Sequence, residues 1–158
     1  MWEGAQELAF TNLKKALVND PILKLPDLSK EFILQCDASE VGVGASLLQE
    51  HGGTLFPVAY ASKKFLARER KYSTIEKECL SLVFGVKKFE VYLYGKPFTL
   101  QTDHQPLIYL NTAKVSNDRI MRWALFLQRY MVRIEAIKGS HNVVADFLSR
   151  SECSYHYF

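Results

Sequence analysis

A chain of 158 residues is long enough to bury one hydrophobic core and too short to divide into two domains. Its 48% hydrophobic and 23% charged content excludes a disordered polymer, and no apolar run approaches the roughly 18–20 residues of a membrane span. The formal charge of +3 permits a nucleic-acid partner without requiring one, and the first residues lack the basic and apolar regions of a secretory signal.

Residues 5–18 place Ala5, Leu8, Leu13, Ala16 and Leu17 at helical spacing, which predicts an extra N-terminal helix. Pro21 and Pro26 then break the chain. We divide it into a connecting segment over 1–29, a main domain over 30–150 and a tail over 151–158. Strands are expected over 31–39, 42–49 and 55–62, with His51-Gly52-Gly53 turning the second into the third. A long helix follows over 74–94, capped by Ser73 or Thr74 and stopped by Gly95 and Pro97. Beyond it lie a strand over 98–102, a short helix over 106–110, a helix over 118–130, a strand over 132–138 and a last helix over 142–148 opened by an Asn142 cap. This order predicts an α/β fold, a five-stranded mixed sheet flanked by helices. Of the three cysteines, Cys36 and Cys79 read as small buried apolar residues in a reducing, intracellular compartment, and no Cys/His spacing suits zinc. Cys153, in the polar tail, carries no signal.

Two strands share one pattern. Residues 32–37 and 98–103 both read Phe-x-Leu-Gln-x-Asp, so in each the Asp lies on the face of its Gln and opposite its Phe and Leu. The long helix between them favours a parallel pair joined by a right-handed crossover. In register, Asp37 and Asp103 would stand side by side and repel unless they share a cation or a proton. The long helix carries an apolar stripe of Ile75, Cys79, Leu82, Val86, Phe89 and Leu93. Glu76 and Glu78 flank that stripe, each about 80° from its centre, so periodicity does not choose between them. Ser81 and Gly85 on the Glu78 flank leave room for a bulky ligand, whereas Glu76, which shares its flank with Lys87, reads as a solvated residue. Asp146 falls one turn into the last helix, where the macrodipole alone favours an acid. Four oxygen donors without a His/Cys cluster suit two Mg²⁺ ions, with Mn²⁺ as the alternative, and such a pair serves in-line displacement at phosphorus.

Four motifs occur in order: Cys36-Asp37-Ala38-Ser39, Tyr72 through Leu80 (YSTIEKECL), Thr102-Asp103-His104-Gln105-Pro106-Leu107, and Asn142 through Arg150 (NVVADFLSR). Together they resemble the ribonuclease H domain of gypsy-type LTR retrotransposon polyproteins, over residues 30–150. The resemblance implies an RNase H-like fold and an endonuclease that cuts RNA in RNA–DNA hybrids with two Mg²⁺. Asp37, Glu78, Asp103 and Asp146 are the implied catalytic and metal-binding set, and the motif selects Glu78 over Glu76. It also implies a reverse transcriptase polymerase region in the same polyprotein, a cytoplasmic place within virus-like particles, and neither a membrane nor a small-molecule cofactor.

Thr74 and Gln105 match positions that contact nucleic acid in related enzymes, and Ser39 joins them as a candidate substrate contact. Ile75 is apolar where the retroviral relative has a polar contact. His141 stands only five positions before Asp146, where relatives carry a more distant mobile His; it and His104 are candidate auxiliary residues. The basic helical protrusion of some relatives is replaced by a short polar loop between Leu110 and Asp118. Arg119 and Arg122, with Phe126 and Arg129, form a stripe suited to a phosphate backbone, with Arg133 just beyond. Lys63, Lys64, Arg68, Arg70 and Lys71 form a second basic cluster. Two other functions compete: a hybrid-binding or connection-type module without chemistry, which would be expected to have lost acids, and an integrase- or resolvase-type nuclease, which usually orders its acids differently.

Overall fold

In the computed structural model, residues 24–104 and 117–150, together with Leu8, are described. The expected helices over 5–18 (Leu8 apart) and 106–110, the loop from Leu110, Gln105, Cys153 and the tail lie outside the described residues.

Five strands form one sheet: β1 (Phe32–Ala38), β2 (Gly42–His51), β3 (Thr54–Lys64), β4 (Phe98–Thr102) and β5 (Val132–Ala136), in the order β3-β2-β1-β4-β5. β2 and β3 run antiparallel, joined where Gly52 and Gly53 both take positive φ, +62° and +80°. β1, β4 and β5 are mutually parallel. Between β1 and β4 lie α1 (Thr74–Lys88) and a single turn, α2 (Glu90–Leu93); α3 (Asp118–Leu127) precedes β5 and α4 (Val143–Arg150) ends the described chain. A five-stranded mixed sheet with flanking helices is therefore present, as the pattern of elements implied.

The alternation of each strand decides which helix it meets. Phe32, Leu34 and Cys36 of β1, with Ala45 and Leu47 of β2 and Leu100 of β4, are buried with Cys79, Leu82 and Val86 of α1 in one core. Gly85 lets α1 approach β1 closely: a Cβ there would stand 2.6 Å from the Cys36 sulfur. The small residues of the Glu78 flank thus serve helix–sheet packing, with Ser81 fully buried and donating to the Glu78 carbonyl at 2.7 Å. That corrects the expectation that Ser81 and Gly85 leave room for a ligand. On the opposite face α4 lies directly on β2, where a Cβ on Gly44 would meet the Ala145 carbonyl at 2.2 Å.

Two further expectations change. The long helix divides at Phe89, whose φ of −105° and ψ of 20° leave the helical region. No Gly or Pro lies between Val86 and Tyr92, so tertiary contacts impose the break. Phe89 is buried in the core, and Glu90 accepts the Tyr130 hydroxyl at 2.6 Å. Ile75, assigned to the apolar stripe, is 37% exposed. Cys36 and Cys79 are buried free thiols, and no described helix is long and apolar enough to cross a membrane.

Candidate active site

Parallel pairing aligns the two Phe-x-Leu-Gln-x-Asp segments residue for residue, Phe32 against Phe98 through Gln35 against Gln101. Gln35 donates its side-chain amide to the Gln101 side-chain oxygen at 3.0 Å, a rung one step below the acids. Asp37 and Asp103 therefore emerge at one level, at the carboxyl ends of neighbouring parallel strands, where open α/β sheets form their crevices. Asp37 is buried, Asp103 exposed. Thr102, fully buried, accepts the His104 backbone N–H at 3.2 Å and so fixes the turn that carries Asp103.

Glu78 comes from the first turns of α1 and bonds to the Ala38 backbone at the end of β1. One carboxylate oxygen from each of Asp37, Glu78 and Asp103 lies within 4.8 Å of the other two. Burial and the nearby Asp37 and Asp103 charges push the Glu78 carboxyl up to about 8. Burial also raises Asp37 to about 6, aided by Asp103 and Asp146 and opposed by the hydroxyl of Ser149, which donates to Asp37 Oδ2 at 2.9 Å. Glu78 Oε2 is buried and has no hydrogen-bond partner. An unpaired carboxylate oxygen facing two more acids is costly by itself, and a divalent cation removes that cost. The residues therefore fit a hard metal ion.

Asp146 stands outside this trio. Its Oδ1 accepts both Arg150 Nε and Nη2, at 2.9 and 2.6 Å, while its charge acts on Asp37. α4 is fastened beside Asp37 by residues that the sequence reading did not single out for this. Asn142, fully buried, donates its side-chain amide to the Cys36 carbonyl at 3.0 Å, so its side chain anchors the helix rather than capping it as expected. The Ser149 hydroxyl, 2.8 Å from the Asp146 carbonyl as well, joins the Asp146 turn to Asp37. Its position, three residues after Asp146, was the available signal.

The remaining candidates scatter. Ser39 donates to the Ser149 carbonyl at 2.6 Å and accepts the Val41 and Gly42 N–H groups, closing the β1–β2 turn against α4. Thr74 is exposed and lines, with Ala38, Ser39, Glu40, Lys77, Glu78 and Arg150, an open groove of about 180 Å³ beside Glu78. Lys77, whose side chain is almost wholly buried there, pairs with Glu40 at 2.7 Å. His141 is exposed at the end of a 3-10 turn (Gly139–His141) that borders the acids, since a Cβ on Gly139 would lie 3.2 Å from Asp103 Oδ2. His104 is half-buried, directly after Asp103. Arg122 is exposed on α3, whereas Arg119 turns inward to Glu76 and Phe126 packs beneath Lys87 and Arg129.

Known proteins share the sequence and the fold of this chain. Residues 27–130 match the model of the RNase H-like domain found in reverse transcriptase. The retrovirus-related Pol polyprotein from transposon 412 of Drosophila melanogaster is 42% identical over 149 residues, covering 94% of this chain and 12% of the polyprotein. Prototype foamy virus protease–reverse transcriptase superposes with a TM-score of 0.65 at 16% identity, over 87% of this chain and 19% of that one. A foamy viral protease–reverse transcriptase solved in complex with RNA/DNA hybrid gives 0.58 at 20% identity, over 87% and 19%. RNase H1 from the archaeon Halobacterium salinarum gives 0.59 at 14% identity, over 75% and 93%. The chain belongs to the RNase H-like domain family of reverse transcriptases, in the branch carried by LTR retrotransposon polyproteins.

Proposed function

We infer that this domain hydrolyses the RNA strand of RNA–DNA hybrids, with Asp37, Glu78, Asp103 and Asp146 as its acids. The observation that carries this reading is the buried Glu78 Oε2, left without a partner against Asp37 and Asp103. Asp37, Glu78 and Asp103 would hold one divalent ion, and Asp37 with Asp146 a second, both Mg²⁺ or Mn²⁺. Bound ions would supply activation of a water and neutralisation of charge at the scissile phosphate. The chain's own residues do the positioning. The paired strands fix Asp37 and Asp103 at one level, the Ala38 backbone bond orients Glu78, and Ser149 holds Asp37 beside the Asp146 turn.

Thr74 and Ser39 border the groove next to Glu78, and Arg122 offers an exposed cation to a phosphate backbone. Gln105 and His104, next to Asp103 in sequence, remain in the reading as a substrate contact and an auxiliary group, as does His141. The hybrid is supported as substrate by the foamy viral enzyme solved with one. The polymerase region of the same polyprotein would be the working partner, inside the element's particles in the cytoplasm.

The test is hydrolysis of a labelled RNA–DNA hybrid beside duplex DNA and duplex RNA, with Mg²⁺ or EDTA. Cleavage of the RNA strand alone, abolished by EDTA and by Asp103→Asn, is the expected result. Cleavage of duplex DNA, or full activity of the Asp103→Asn chain, overturns it.

A further inference from the structure

Glu76 was the acid that periodicity could not separate from Glu78, and it is buried with every oxygen engaged. Its Oε2 accepts the Ser73 backbone N–H at 2.9 Å and the Ser73 hydroxyl at 3.1 Å, while Ser73 Oγ accepts the Glu76 N–H, a reciprocal capping box. Its Oε1 accepts Asn117 Nδ2 at 3.1 Å and the Arg119 guanidinium. Asn117 caps α3 in turn, its Oδ1 taking the N–H groups of Arg119 and Ile120 at 2.9 and 3.3 Å. The central carbon of the Arg119 guanidinium sits 4.1 Å from the centre of the Tyr72 ring, which itself packs on Trp123.

We propose that Glu76 and Arg119 are positioning residues for Glu78 and through it for the acid cluster, clamping the turn of α1 that carries Glu78 to the N-terminus of α3. The two glutamates project from opposite flanks of one turn, so whatever fixes Glu76 fixes the rotation of Glu78. A carboxylate about 5–6 Å from the helix axis moves by about 1 Å when the helix turns by roughly 10°. Misplacement of that size in a catalytic group costs about 10²-fold in rate. In this assignment Arg119 is not a phosphate ligand, because its guanidinium is spent on Glu76 and Tyr72.

The inference rests on the nuclease reading and is tested with Glu76→Gln, Arg119→Ala and Arg119→Lys in the full chain. Glutamine has one acceptor oxygen where the clamp uses two, so it must release either Ser73 or the α3 pair. Three quantities are read: Mg²⁺ affinity by isothermal titration calorimetry, kcat and KM on a hybrid, and the slope of log Kd against log salt for hybrid binding in EDTA. Glu76→Gln and Arg119→Ala are expected to weaken Mg²⁺ binding about 10-fold and lower kcat about 10-fold to 100-fold, with KM and the salt slope unchanged. Arg119→Lys, which keeps the charge but not the forked guanidinium, should fall between them and wild type. A salt slope reduced by about one unit in Arg119→Ala, with Mg²⁺ affinity retained, would make Arg119 a phosphate ligand and overturn the proposal. Wild-type Mg²⁺ affinity and kcat in the variants would overturn it equally. Should wild type bind Mg²⁺ yet cut nothing, the nuclease reading fails while the calorimetric comparison still judges the clamp.

Discussion

Glu76 and Glu78 lie two residues apart on α1 and are equally buried, each 8% exposed. One accepts hydrogen bonds from Ser73, Asn117 and Arg119; the other keeps an oxygen with no partner and faces two more carboxylates. The first is what a stable fold does with a buried acid, and the second is what a fold tolerates only where something else is to bind. Burial therefore carries no functional signal here, while the identity of the neighbours does.

The sharpest way to break this contrast is to replace Glu78. Glu78→Gln is expected to lower hydrolysis of a hybrid about 10³-fold, because the weakened hold on one ion forfeits several kcal/mol of charge stabilisation. The same change should stabilise the metal-free chain at alkaline pH. Folded-state values of about 8 for Glu78 and about 6 for Asp37 lie above the ordinary 4.5 and 3.8, so the folded chain holds these protons more tightly than the unfolded one. The resulting stability is complete below about pH 4 and is lost as pH rises through 6 and 8. Denaturation in EDTA across that range should show the decline in wild type, a much shallower one in Glu78→Gln, and a flat profile once Mg²⁺ is added. A wild-type profile that rises with pH in EDTA would contradict the desolvated cluster.

Glu76→Ala should act in the opposite sense. It removes the capping box and leaves Asn117 and Arg119 without their acceptor, for a loss of about 2 kcal/mol, the ion-pair share being discounted because the Arg119 side chain is 38% exposed. Urea denaturation in EDTA measures it, and an unchanged midpoint would dissolve the contrast between the two glutamates. The smallest effect is expected from Arg150→Ala. An exposed i,i+4 pair with Asp146 contributes about 0.5 kcal/mol or less, so thermal unfolding should barely shift.

Much of the architecture could be read before any coordinates. The repeated Phe-x-Leu-Gln-x-Asp segments gave the faces, the parallel pairing and the level of Asp37 and Asp103, because a strand period of two leaves little freedom. The helix wheel could not separate Glu76 from Glu78, since two positions equally far from an apolar stripe are equivalent until a neighbour is named. A local signal was nonetheless present: Ser73-x-x-Glu76 is a capping box in sequence, and it accounts for Glu76 without any solvated face. The break at Phe89 and the side-chain bond from Asn142 to the Cys36 carbonyl had no such signal, as both depend on residues distant in the chain. Gly44 was equally silent and Gly85 read as ligand space, because a glycine required by a close approach looks like any other.

The bonds that seat α4 have a consequence for the order in which the molecule assembles. Cys36 to Asn142 spans 106 residues, Ser39 to Ser149 spans 110, and Asp37 to Ser149 spans 112. Closing loops of that length is favourable only after the intervening hairpin and helices have shortened the path, so these contacts belong to the last stage of folding. The repulsion that Asp146 adds at Asp37 is consequently deferred until the rest of the core exists to absorb it. A chain that has folded everything but α4 would hold its sheet and most of its core while still lacking Asp146.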